Sequence, residues 1–184
     1  MKTLTIVGTC VGAAILYGIV HDQVTARVCV EYFTIGHPRI FPTESPTWLA
    51  LGWGVVATWW AGVLLGIPLA FAAQFGRRAK REPKSLVRPI AVLLFVMGVG
   101  ALLAGFTGYA LAKSRLLALQ AHLAVAVPQS RHAAFIADGA AHLASYAIGF
   151  LGGIFVIVSV WRSRSASHAP PKSTSGSASV VDPS

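Results

Sequence analysis

The chain has 184 residues, 55% of them hydrophobic and 11% charged, against about 25% charged in soluble domains. A soluble fold of this length cannot bury that much apolar surface, so the composition requires lipid as solvent. The net charge of +9 does not signal nucleic acid: ten of the fifteen Lys and Arg fall at Lys2, in the Arg77–Arg88 loop and after Trp161, not interleaved with aromatics on one face.

In chain order, an apolar run from Leu4 to Val20 predicts a first span over about 4–23. Two readings stay open here. In one the span is retained, with Gly8 and Gly12 as a packing face. In the other, residues 1–26 are a signal peptide cleaved after Val24-Thr25-Ala26. Residue 27 starts outside in both.

The periplasmic segment 24–47 follows. Val24, Ala26, Val28, Val30 and Tyr32 alternate with polar residues and β-branching is dense, which predicts a short extended piece over Val24–Ile35. A helical alternative pairs Arg27 with Glu31 at i,i+4. Gly36-His37-Pro38, Pro42 and Pro46 then break the chain.

The second span, 48–75, is about 42 Å long as straight helix. The hydrocarbon core measures about 30 Å, so the span must tilt, kink or project, with Pro68 as the expected kink. Trp48 and Trp53 suit the outer interface, and Trp59 and Trp60 are expected to pack at mid-span. The loop 76–88 carries six basic residues and one acid, the mark of a cytoplasmic loop.

Residues 89–112 form the third span, with Pro89 in its first turn. The segment 113–138 returns outside, where Ser114–Val127 reads as a surface amphipathic helix. The fourth span is 139–161. Residues 165–184 are Ser/Pro/Ala-rich and read as a disordered cytoplasmic tail beyond a membrane domain of residues 1–164.

Charge supports this threading. The inner side holds Lys2, the six loop residues, Arg162, Arg164 and Lys172 against Glu82 and Asp182, a net +8. The outer side holds Arg27, Arg39, Lys113, Arg115 and Arg131 against Asp22, Glu31, Glu44 and Asp138, a net +1. The positive-inside rule then puts both termini in the cytoplasm. Cys10 and Cys29 are too far apart along a helix to bridge.

Small residues recur every four positions in each span: Gly8 and Gly12; Gly54, Thr58, Gly62 and Gly66; Gly100, Ala104 and Gly108; Ala141, Ser145, Gly149 and Gly153. In lipid, close backbone approach supplies much of the helix association. The expected fold is an all-α membrane protein, a four-transmembrane-helix antiparallel bundle with a small extracytoplasmic cap.

Candidate chemistry collects on the outer side. His21, Asp22, Arg27, Glu31 and His37 are expected to form a hydrogen-bonded polar cap, since buried polar groups need partners. The alternative is a transition-metal site from His21, His142, Asp138 and His132, or haem held by two histidines, although no metal-binding motif is present. A small transporter is the second alternative, but no span carries a mid-membrane charge. His142 and Ser145 lack a nucleophile elbow, and a thiol redox pair is missing. No cofactor is therefore predicted outside those alternatives, and the chain reads as non-enzymatic.

The run His21–Pro38, leading into Trp48–Gly66, resembles a segment of small bacterial multi-span inner-membrane proteins. The resemblance implies a bacterial inner-membrane location and brings no activity or ligand with it. The expected role is a structural or accessory component among lipid, other membrane subunits or copies of itself, with no nucleic-acid partner.

Overall fold

The computed structural model describes residues 1–76 and 78–166. The tail expected over 165–184 lies outside the described residues from 167 onward. All regular structure among the described residues is helical: α1 (Lys2–Val28), α2 (Val30–Thr34), α3 (Pro46–Val56), α4 (Trp59–Gln74), α5 (Lys84–Lys113), α6 (Ala121–Ala126) and α7 (His132–Ala166). Four stretches are long and apolar enough to cross a membrane: Lys2–Val28, Pro46–Gln74, Lys84–Lys113 and Gln129–Arg164. Their outer faces carry bare large apolar side chains, with Phe95, Phe106 and Phe155 each more than 70% exposed.

The extended piece expected over Val24–Ile35 is instead helical. α1 continues to Val28, the chain breaks only at Cys29 (φ −148°, ψ 93°), and α2 follows at once. Packing overrides β-propensity here, because Ala26 and Phe33 close a core with Leu49 and Ala50 of α3. Arg27 does not pair with Glu31. It donates to the Gln23 carbonyl and side chain and to Thr47 Oγ1.

The second apolar stretch is interrupted at Ala57–Thr58, and Pro68 lies inside the continuous α4. Thr58 Oγ1 donates to the Gly54 carbonyl, while the Thr58 amide turns to Val55 O at 3.3 Å. A side-chain hydroxyl thus takes the acceptor that the helix amide would use. Gly18 of α1 seats at this point: a Cβ there would stand 2.5 Å from Thr58 Cγ2 and 2.6 Å from Gly54 O. Trp59 and Trp60, expected to pack at mid-span, are about half exposed.

The helices associate as two tight pairs, α1 with α3–α4 and α5 with α7, joined mainly where α4 meets α7. Gly54, Gly62 and Gly66 seat against Ile19, Val11 and Cys10 respectively. Gly100 meets Ile148, Gly108 meets Ala140, Gly149 meets Met97 and Gly153 meets Leu65. Gly8 and Gly12, expected to pack, face open space.

The helix expected over Ser114–Val127 shrinks to α6. α5 ends at Lys113, Arg115 turns to φ +62°, and the Arg115 and Leu116 amides reach back to Ala112 O and Leu111 O. That pair of bonds is a Schellman turn, which satisfies the last carbonyls and stops the helix. At the basic-loop end, Arg164 is buried and donates to the carbonyls of Ala72, Phe75, Arg78 and Ala79. A cation there complements the C-terminal dipole of α4.

Candidate functional site

The polar residues of α1 and α7 meet at the cap end. Tyr17, His21 and Asp22 follow one another around α1, and Asp138, His142 and Ser145 recur at helical spacing on α7, so each helix turns one polar stripe inward. Asp22 and His142 are 5% and 8% exposed. The His142 ring packs edge-on to His21 with centroids 4.5 Å apart and lies 4.6 Å from Tyr32. Tyr17 stacks on the far side of His21 at 5.7 Å.

The hydrogen bonds fix the His142 tautomer. Its Nδ1 lies 2.8 Å from the Asp138 carbonyl, which can only accept, so Nδ1 carries a proton and donates. In the neutral ring Nε2 is then a lone pair, and it faces Asp22 Oδ1 at 3.3 Å. Two acceptors so placed need a cation between them, a proton or a metal. His21 Nε2 and Asp138 Oδ2 are buried without a hydrogen-bond partner among the described residues. One ligand atom from each of His21, Asp22 and His142 lies within 4.8 Å of the others.

Below this cluster runs a cavity of about 390 Å³ between the two helix pairs. Its walls come mainly from α1, α4, α5 and α7, with Phe33 of α2 and Trp53 of α3 at the cap end, and are apolar except at the histidine end, at Thr58 and at the Tyr17–Ser145 hydrogen bond of 2.7 Å. Trp60 and Leu64 of its wall are 46% and 52% exposed. The cavity is partly open, and α4 and α5 on either side of it make little contact with each other.

Of the expected metal set, the structure joins His21 and His142, with Asp22 as third member. Asp138 contributes its backbone carbonyl, and its carboxylate is not among the three grouped ligands. His132 does not join, since its Nε2 bonds Val127 O at 2.9 Å. Haem does not fit between His21 and His142, because rings in contact leave no slot for a macrocycle.

The expected cap divides in two. His21 and Asp22 belong to the buried cluster, while Arg27, Glu31 and His37 act separately. His37 Nδ1 is 2.8 Å from Tyr32 O, and its ring lies against Phe33 and Trp53. Glu31 accepts from Arg131 Nε at 3.1 and 3.2 Å and from the Cys29 thiol at 3.3 Å, and Arg131 also donates to Val28 O. Burial alone would raise the Glu31 carboxyl, but its own amide, Arg131 and Cys29 together hold it below the usual range. Burial, then the Glu31 hydrogen bond, pushes the Cys29 thiol up to about 12.

Sequence reasoning missed Tyr17, Tyr32 and the partnership of Arg131 with Glu31. The first had a signal, a tyrosine four residues before His21 on an apolar helix. Ser145 pairs with Tyr17 and not with His142, so no activated hydroxyl is assembled. No family model, no curated protein and no solved structure matches this chain.

Proposed function

We propose that the protein is a four-span bacterial inner-membrane component with both termini cytoplasmic and the α1 span retained. In this reading it binds a lipid-soluble small molecule in the cavity between its two helix pairs. The role is binding, structural or accessory to a larger membrane assembly; no reaction is proposed. An antiparallel bundle is supported by the order of contacts: Gly54, Gly62 and Gly66 climb the second crossing as Ile19, Val11 and Cys10 descend α1. Orientation is supported by the basic loop and the nearly neutral cap.

The cavity is the observation that carries the binding role. Its volume, about 390 Å³, lies within the range of about 300–1,000 Å³ for small-molecule sites, which are mostly apolar with a few convergent polar groups. The cavity is partly open, its wall includes the half-exposed Trp60 and Leu64, and its lining is apolar, which supports the bilayer as the source of the occupant.

Solvent extraction and mass spectrometry of protein purified in mild detergent test this. One organic species should exceed its share in the bulk lipid extract, and Ala14→Phe, which fills the cavity wall, should lose it without altering gel-filtration behaviour. Bulk lipid alone, or retention of the species by a well-folded Ala14→Phe, contradicts the binding role.

A further inference from the structure

We infer that His21, Asp22 and His142 form a binding site for one divalent first-row transition-metal ion, of which Zn²⁺ is the simplest case. The site stands on its own geometry and does not depend on what fills the cavity below.

Three observations converge on it. The first is the His142 tautomer: a proton on Nδ1, held by the Asp138 carbonyl, leaves Nε2 as a lone pair aimed at the Asp22 carboxylate. Metal-ligating histidines are oriented in this way, the second ring nitrogen donating to a carbonyl or carboxylate.

The second is spacing. Ligands at about 2.0–2.1 Å from a tetrahedral ion stand about 3.3 Å apart, and His142 Nε2 and Asp22 Oδ1 are separated by 3.3 Å. The His21 ligand atom is within 4.8 Å of both, and a small inward shift of its ring would bring it to tetrahedral spacing.

The third is the unsatisfied chemistry of the site. His21 Nε2 is buried with no partner among the described residues, and a buried polar atom left so costs about 1–3 kcal/mol. One cation at the centre would satisfy that nitrogen and the facing acceptors together. Two imidazoles and one carboxylate are a borderline donor set that suits Zn²⁺, Fe²⁺, Cu²⁺ or Ni²⁺ and disfavours Mg²⁺ and Ca²⁺. Three protein ligands leave at least one position for water or another ligand, as open zinc sites do.

The competing arrangement is a proton shared between His142 and Asp22. It pairs those two atoms but leaves His21 Nε2 unsatisfied.

The full-length protein, purified without an affinity histidine tag and stripped with chelator, is titrated with Co²⁺ and then back-titrated with Zn²⁺. The site predicts saturation at one equivalent, with ligand-field absorption of tetrahedral intensity that Zn²⁺ abolishes. No sulfur-to-cobalt charge-transfer band should appear, which excludes Cys10 on the cavity wall. His142→Ala should remove the spectrum, and Asp22→Asn should weaken binding by at least about 10-fold, the lower end of what even an outer-sphere partner contributes.

His132→Ala, and His122→Ala at an exposed position of α6, should leave the titration unchanged. His21→Gln is the milder variant should His142→Ala fail to fold, since its ring nitrogen has no hydrogen bond to lose. An unsaturable titration, a sulfur band, a spectrum that follows His132 or His122, or an unaltered affinity in folded His21→Gln would each overturn the metal site and leave a shared proton in its place.

Discussion

Glu31 and Arg131 are one hundred positions apart and meet at 3.1 Å across the cap. Because the folded carboxyl lies below its usual value of 4.5, the pair contributes fully above that pH. Its contribution is lost as pH falls through the folded value. The pair is partly solvated, with side chains 20% and 36% exposed, so it is worth up to about 1 kcal/mol. Thermal unfolding in detergent should show a drop in stability below about pH 4.5 that is shallower in Arg131→Gln; identical acid profiles would show that the pair contributes nothing. His21, Asp22 and His142 stood out in the sequence because imidazole and carboxylate collect at the outer ends of the apolar runs. Their mutual placement was not legible, since α1 and α7 belong to different helix pairs and meet only through the way the pairs dock, mainly where α4 packs on α7.

At the scale of elements, the small-residue ridges separate into used and unused faces. A Cβ on Gly62 would meet Val11 Cα at 2.6 Å, while one on Gly8 would meet nothing within 4 Å. Overpacking of this kind costs about 1–3 kcal/mol. Gly62→Ala should lower the detergent melting temperature and Gly8→Ala should leave it unchanged or raise it, as Ala is the better helix former; equal effects at both positions would mean that the helices do not meet through this ridge. The four long apolar helical stretches were legible from length and hydropathy alone. Their ends were less so, because Thr58 Oγ1 takes the Gly54 carbonyl and Arg115 adopts a left-handed turn without glycine, and both signals lie in atomic contacts and not in residue type. The alternating pattern at Val24–Tyr32 misled because Ala26 and Val30 pack with Leu49 and Ala50 of α3 at helical spacing, while Val24 and Val28 of the same alternating set stay exposed.

For the whole molecule, the arrangement inverts that of a soluble protein: phenylalanines cover the outside while a histidine–aspartate cluster and an arginine cage lie within. Neither the cavity nor the pairing of helices into two halves could be read from sequence, since both depend on which helix neighbours which. All functional readings rest on the membrane crossing and its direction, and impermeant maleimide labelling in right-side-out vesicles tests these most directly. The native thiols provide a silent background, Cys29 being fully buried with its thiol pushed up to about 12 and Cys10 only 9% exposed. Glu44→Cys on the exposed cap loop should label in sealed vesicles, and Lys80→Cys in the basic loop only after the membrane is permeabilised. Labelling of Lys80→Cys in sealed vesicles, or of both positions from the same side, would contradict the four-crossing account.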